Sequence, residues 1–401
     1  MTHVVLINSD RIAALEQLLN RPGIVLSAIT KAKYAHLYTE CAAVRTVPDV
    51  ADVTRVLEAA VSLTRSCGPL DAVVAPLERG VISAGFVRST LNVPGMPLDV
   101  SLGFVNKLVM KSRLRAAGLP VAPFHPISSV SAAGDTELRW PIVIKPAVGA
   151  GSQNVRRIVD RAELLAFAKS AAGQIMDSLA CPLIAESEIT MNAELHCDGS
   201  VSGGRTVGIS TSRYLRPMLA GFGGFNGSVT LHRDADREVH ADLVDLHSTV
   251  VAVLGMRDGV THMEAYVTDA GLVIGEVTCR PGGGGVTTAA SVATGRDLWA
   301  DFIDTALGVP LAGSPSVEAG LHGWYGLPAR NGRVVALTDP RDLAAIPGVR
   351  AVEMNYRVGD LIDEKLTSVF NAGIAHIQGR TATDIAATVS AIEDCYRIAV
   401  E

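Results

Sequence analysis

Apolar runs alternate with stretches of helical spacing through the first hundred residues, and this alternation restricts the possible fold more than any other feature of the chain. Val4–Ile7 is a continuous apolar run, and Arg11–Leu19 then repeats apolar residues at the helical period. Val25–Ile29, Ala42–Val47 and Asp71–Pro76 read as further strands, and Val81–Leu91 as another helix. Asp49 stands where it would cap a helix running through Val50, Val53, Val56 and Leu57. Strands that are apolar at every position are buried on both faces, and strands separated by helices run parallel. Residues 1–104 are therefore expected to form a Rossmann-like parallel-sheet domain. No GxGxxG follows the first strand, which removes the dinucleotide fingerprint and disfavours a nicotinamide dehydrogenase.

The texture changes near Ser101. A helix carrying Asn106, Lys107 and Lys111 runs to Ala117, where Gly118 and Pro120 end it. Beyond a Pro/Ser/Gly-rich connection come a strand at Pro141–Lys145, a helix at Arg161–Ala171, and strands at Pro182–Ile189 and Ala193–Cys197. Asp198-Gly199 is a hairpin-turn signal leading to Val201. A long helix spans Arg237–Leu254, and the strands Thr261–Val267 and Leu272–Thr278 are joined by Asp269-Ala270-Gly271. This hairpin-rich pattern predicts an α+β domain over 105–311. Ala312-Gly313-Ser314-Pro315 reads as a linker to a small C-terminal domain, 312–401, closing on a helix at Ala382–Ile398.

With 48% hydrophobic residues in 401, the chain can bury a core in each part, which excludes disorder. A mean hydropathy of +0.29 raises the membrane question. The longest charge-free run, Ala116–Gly134, is broken by three prolines and several serines and cannot span a bilayer. The opening MTHVVLINSD lacks the plan of a signal peptide, so a cytoplasmic protein is expected. A net charge of −6 argues against nucleic acid as a partner. The six cysteines form no CxxC pair and read as small buried hydrophobes. Only seven of the 35 basic residues are lysines, so each invites a question.

Lys145 ends a buried strand and runs through Pro146 into a loop with Gly149, Gly151 and Ser152. A charge in such a strand needs a partner, and small residues let backbone N–H groups approach an anion. The combination suits a polyphosphate, with a surface turn as the plainer reading of the loop alone. Counted outward from Ala270, Glu264 and Glu276 are equidistant, so a hairpin of that register sets them opposite one another. Facing carboxylates repel unless a cation lies between them, which suits Mg²⁺ arriving with phosphate; for Glu264 alone, a solvated edge is the alternative. Arg280 leads into four glycines, an arrangement for a small anion. Glu78, after the strand Asp71–Pro76, is equally a substrate contact or a helix N-terminal acid. His262 reads as a packed histidine turned from the neighbours of Glu264, and His232 as a surface residue. Arg213 with Tyr214, Arg216 and Gly221, Gly223, Gly224 and Gly227 reads either as a loop bordering the substrate or as a solvated one.

These residues, in this order, resemble the ATP-grasp enzymes. The motifs are Asn106-Lys107, Lys111, Gly118-Leu119-Pro120-Val121, Ile144-Lys145-Pro146 with Gly149-Ala150-Gly151-Ser152, His262-Met263-Glu264, and Gly275-Glu276 followed by Arg280-Pro281-Gly282-Gly283. The closest likeness is to the carboxylate–amine ligase branch, which includes the L-amino-acid ligases. The resemblance implies an α/β and α+β chain of ATP-grasp fold, with its lid over roughly 117–185. It implies that Lys107 and Lys145 contact the ATP phosphates under a loop of Gly149, Gly151 and Ser152. Leu183–Ile189 would be the adenine hinge, with Glu186 or Glu188 on the amino group and Ile189 at its end, and Glu194 would hold the ribose. Glu264 and Glu276 would bind Mg²⁺, or Mn²⁺ in its place, with Thr278 standing where many members have Asn. Arg280 would face the acyl phosphate or the substrate carboxylate, beside Gly282 and Gly283, and Arg213 would border the substrate.

The reaction so implied joins a small carboxylate to an amine, through an acyl phosphate, with release of ADP and phosphate. Two other readings remain: an ATP-grasp ligase forming another C–N or carboxylation-type bond, and a non-catalytic ATP-binding scaffold. Against the scaffold stands the retention of Lys107, Lys145, Glu264, Glu276 and Arg280 together. A homodimer is the assembly common among such ligases.

Overall fold

The computed structural model describes residues 1–149, 151–218, 224–313, 319–363 and 370–401. Ala150, Gly221, Gly223, Ser314 and Pro315, named above, lie outside the described residues.

The N-terminal strands form one parallel sheet in the order Ala43–Thr46, Ile24–Thr30, Thr2–Ile7, Ala72–Val74. Period-two alternation divides the central strand between two cores. Val4 and Leu6 pack with Leu15 and Leu18 of the helix Ile12–Leu19 and with Phe302 and Ile303 of the helix Leu298–Ala306. Val5 and Ile7 pack on the other side with Val56, Ala60 and Leu63 of Val53–Cys67 and Ala84 and Val87 of Glu78–Leu91. Enclosing each such aliphatic side chain is worth about 1.5–3 kcal/mol relative to exposure. The expected cap is corrected: Asp52, not Asp49, accepts from the N–H of Arg55 and starts the helix Val53–Cys67. Asp49 instead pairs with Arg79 and Lys31.

Two larger antiparallel sheets follow, with a three-stranded one of Leu361–Ile362, Gly332–Leu337 and Ile398–Val400 beside them in the last part of the chain. The smaller has the order Phe124–Ile127, Leu183–Ser187, Ile142–Pro146, Arg156–Ile158. The larger has eight strands: Gly271–Thr278, Gly259–Thr268, Ala193–Ser202, Arg205–Tyr214, Asn226–Thr230, Leu321–Pro328, Asn371–Gly379 and Val349–Met354. It therefore crosses the boundary expected near residue 312, and three strands from beyond it complete the sheet. Its apolar face carries Leu195, Cys197, Met263, Ala265, Ile274 and Val277, packed with Leu243, Val250 and Leu254 of the helix Arg237–Leu254 and with Met110 and Leu114 of Lys107–Ala116.

Asp198-Gly199 is not the hairpin turn. Both residues lie inside the strand Ala193–Ser202, and the turn falls at Gly203-Gly204, with φ of +60° and +76°. Gly199 serves close approach instead, since a Cβ there would lie 2.6 Å from the His247 ring. The last helix ends at Cys395, and Ile398–Val400 pairs with Gly332–Leu337 as a strand. All six cysteines are free, with Cys197 and Cys279 buried and the other four half-buried. Among the described residues, no helix is long and apolar enough to cross a membrane.

Candidate active site

The polar residues of the larger sheet share one face because they share parity. Across adjacent strands the register pairs Glu276 with Glu264, Glu264 with His196, His196 with Ser212, and Ser228 with Tyr214. The facing of Glu264 and Glu276 is as expected, but the route to it differs. The turn is the two residues Asp269-Ala270, and a bulge at Gly275 restores the offset. Gly275 has the right character for it: a Cβ there would stand 3.0 Å from the Tyr266 ring.

Asn106 caps the helix Lys107–Ala116 through the N–H groups of Leu108 and Val109, which puts Lys107 at its first turn. The Lys107 ammonium lies 2.8 Å from Glu276 Oε1 and donates to the Gly149 carbonyl at 2.7 Å. Burial alone would lower this lysine, but Glu276 and Glu78 outweigh it and keep the charge. Lys145 meets Glu186 at 3.1 Å, supplying the partner its buried strand required. Lys111, to which no role was assigned, is fully buried and approaches Glu186 Oε1 at 3.5 Å. Burial would raise the Glu186 carboxyl, yet Lys111 and Lys145 together hold it below the ordinary range. Its Oε1 has no hydrogen-bond partner, leaving an acceptor buried in the site. Glu188 is corrected: it lies past the strand end and is gripped by the exposed Arg157 at 2.7 and 2.9 Å. Ile189 follows it, half-buried, in the connection to the next strand.

Gly151 and Ser152 adopt φ of +65° and +56°, and Asn154 repeats the left-handed conformation at +56°. Glycine adopts this conformation freely, whereas a serine or asparagine held there is strained. Gly149 is the carbonyl that receives Lys107, which ties the loop to the helix.

Glu194 is buried and accepts from the Met218 N–H at 2.8 Å; burial and the nearby Glu264 push it up to about 8. Glu264 accepts from the Tyr214 hydroxyl at 3.1 Å and lies 3.6 Å from His262 Nε2. The expectation for His262 is thereby corrected, because residues two apart on a strand point to the same face. Asp198 Oδ1 receives His262 Nδ1 at 2.8 Å, and Asp198 Oδ2 receives His196 Nδ1 at 2.7 Å. Burial opposes a charge on His262, but Asp198 outweighs it and the imidazole is raised to about 10. Asp198 itself would be raised by burial, and the two imidazoles hold it well below the ordinary carboxylate range. Gly282 rests on this network: a Cβ would meet Asp198 Oδ1 and His262 Nδ1 at 3.0 Å, and Val286 at 2.6 Å.

Arg280 pairs with Glu78 at 3.2 Å and donates to the Pro281 carbonyl. Glu78 begins its helix, and its carboxylate meets Arg280. Burial and Glu276 raise it, Arg280 and Lys107 oppose, and its Oε1 is buried without a hydrogen-bond partner. Gly283 follows Gly282, half-buried, on the way to the helix Val286–Thr294. Arg213 is corrected: it points to the opposite face from Tyr214 and pairs with Asp236 at 3.5 Å. His232 accepts from the N–H groups of Asp234 and Ala235 and serves its own turn. From the sequence Lys111 and Tyr214 are named without an individual role, Asp198 reads as a turn residue, and His196 is not marked. Alternation about Glu194, extended to the neighbouring strands, was the one signal that could have found three of them.

Mg²⁺ fits the residues present. Two carboxylates stand opposite one another, and the Thr278 hydroxyl, on the same face, is buried with no hydrogen-bond partner. This is an all-oxygen set of the kind a hard cation takes.

No family profile matches the chain. It is 32% identical over 386 residues to an L-arginine-specific L-amino acid ligase of Bacillus subtilis, covering 92% of this chain and 91% of that one. Its fold is similar to the crystal structure of an L-amino acid ligase from Bacillus licheniformis, with a TM-score of 0.78 at 18% identity, over 100% and 99% of the two chains. A carboxyaminoimidazole ribonucleotide synthase from Aspergillus clavatus, complexed with ATP, matches with a TM-score of 0.73 at 13% identity over 98% and 99%. With a third of its residues shared along nine-tenths of both chains, this protein belongs to the L-amino-acid ligase branch of the ATP-grasp carboxylate–amine ligases, ADP-forming enzymes that join a carboxylate to an amine through an acyl phosphate.

Proposed function

We propose that the carboxylate activated by this enzyme is that of an α-amino acid, held by Arg280 and Glu78, and that a second amino acid is the amine. The observation that carries the reading is the Arg280–Glu78 pair next to the opposed glutamates. It offers a guanidinium for a carboxylate and, on Glu78 Oε1, a buried acceptor for an ammonium. A zwitterion satisfies both, and a simple carboxylic acid leaves the acceptor orphaned. The Bacillus subtilis relative acts on L-arginine, which makes L-arginine the first donor to try.

Lys107 and Lys145 neutralise the phosphates, and the N–H groups of Gly151 and Ser152 cradle them. Glu186 Oε1 accepts from the adenine amino group, while Glu194, kept protonated by its surroundings, shares hydrogen bonds with the ribose. Glu264, Glu276 and Thr278 would hold Mg²⁺, which when bound offsets charge on the phosphates. The donor carboxylate oxygen attacks the γ-phosphorus, the bond to the β-phosphate oxygen breaks, and ADP leaves. The amine nitrogen then attacks the acyl carbon, the acyl–phosphate C–O bond breaks, and the amine gives up a proton. Arg280 and the N–H groups of Gly282 and Gly283 steady the oxyanion in between.

The test is ADP release from ATP over a panel of L-amino acid pairs beginning with L-arginine, with the product weighed by mass spectrometry. At least a tenfold stimulation by one donor, and a dipeptide mass, are expected. Stimulation by simple carboxylic acids and by no amino acid would overturn the assignment of Arg280 and Glu78.

A further inference from the structure

Arg280 and Glu78 serve the donor, which leaves the acceptor without a contact of its own. The strands Thr2–Ile7 and Ala72–Val74 are parallel neighbours with Leu6 opposite Val74, so the residues after both emerge at one edge of the sheet. Glu78 follows the second strand, and Arg11 follows the first. The two connections meet: a Cβ on Gly80, in the first turn after Glu78, would stand 3.3 Å from the Ile7 carbonyl. Arg11 is fixed at this edge through its backbone. The fully buried Asn8 donates to the Arg11 carbonyl at 2.9 Å and accepts from the Arg11 N–H at 3.4 Å. The Tyr38 hydroxyl holds the Ser9 carbonyl at 2.7 Å.

The Arg11 side chain, by contrast, is exposed and makes no hydrogen bond or ion pair among the described residues. Surrounding protein lowers its guanidinium, the nearby Arg280 lowers it further, and Asp10 opposes without reversing them. A side chain open to water yet flanked by protein stands at the mouth of a cleft, and its strongest charged neighbour is the arginine that serves the donor. Arg280 has Glu78 as its counter-ion, while Arg11 forms no such pair. Two neighbouring cations with one carboxylate between them disfavour each other, and an anion brought to the second relieves this.

An acceptor amino acid brings that anion with it. Once its amine nitrogen is on the acyl carbon beside Arg280, its carboxylate lies one residue span away, about 3.8 Å. A planar guanidinium takes a carboxylate through two parallel hydrogen bonds. The donor's side chain is the poorer occupant, because a cationic one such as that of L-arginine would be repelled. We propose that Arg11 binds the α-carboxylate of the acceptor, and so selects a free amino acid over an amine that has no carboxylate. This rests on the reading that both substrates are amino acids, and it adds the residue that recognises the second.

The experiment gives the full chain ATP, Mg²⁺ and each L-amino acid as donor. In one arm the acceptor is hydroxylamine, which has no carboxylate and traps the acyl phosphate as a hydroxamate. In the other, with the best donor, the acceptors are L-alanine, L-serine and L-phenylalanine, each against its own α-amide. The parent enzyme should prefer the free amino acid at least tenfold in kcat/KM. Arg11→Gln should raise the KM for the amino acid at least tenfold, erase the preference over the amide, and change hydroxamate formation less than twofold. Arg11→Lys keeps the charge and should recover most of the loss. Arg79→Gln, at an exposed arginine of the same edge that pairs with Asp49, should match the parent throughout. Absence of hydroxamate with every amino acid overturns the donor reading, and this proposal with it. Where hydroxamate forms, three results overturn the role of Arg11 alone. One is a parent that uses the amides as well as the amino acids, or uses neither. The others are a KM that Arg11→Gln leaves unchanged, and an equal fall in hydroxamate formation, which would place Arg11 with the donor.

Discussion

Lys107 shows how much one side chain can join: its ammonium touches Glu276 and the Gly149 carbonyl, and so ties the hairpin of Glu264 and Glu276 to the loop after Lys145. Lys111 has the corresponding place on Glu186. Lys111→Met should leave Glu186 with Lys145 alone and raise the KM for ATP at least tenfold, read from initial rates with the amino acids saturating. Tyr214→Phe removes one hydrogen bond to Glu264, worth about 1 kcal/mol, so kcat should fall roughly fivefold. Arg213→Ala, one residue away but on the other face, should stay within twofold of the parent in the same assay. An equal loss in both variants would sink the assignment of the two faces. Gly282→Ala brings a methyl against the Asp198–His262 hydrogen bond and should lower activity more than tenfold with little change in ATP affinity.

Elements place these residues through local rules, some of which are legible in the sequence. The strand–helix alternation of the first hundred residues, and the hairpin carrying Glu264 and Glu276, follow from the period of apolar residues and a short turn. Two punctuation marks misled. Asp198-Gly199 has the residue types of a turn, but its glycine is there to admit His247, a contact made from a helix fifty residues on. Asp49 and Asp52 are both suitable caps, and the choice depended on which aspartate Arg79 and Lys31 occupied. Asp52→Ala should therefore destabilise the chain by about 1 kcal/mol in urea unfolding.

At the scale of the whole molecule, stability responds to a histidine far from the chemistry. His247 is buried between Thr261 and Thr206, and burial lowers it to about 4. A group whose folded value is depressed contributes stability above its unfolded value of about 6.5, and that contribution is lost as pH falls towards 4. Stability should decline through this window by up to roughly 3 kcal/mol, read as a falling melting temperature, and His247→Gln should flatten the decline. The sequence by itself determined the classes of structure and the candidate chemistry, because apolar period, turn residues and motif order are local properties of the chain. It marked Lys107, Lys145, Glu264 and Glu276 as candidates for the same reason. Only the tertiary structure set Glu186 between two lysines and Glu188 on Arg157, turned Arg213 away, and gathered Tyr214 and the Asp198 network around Glu264. Those choices depend on which face of a strand meets which neighbour. That pairing is made between residues 23 to 75 positions apart, where no local pattern reaches.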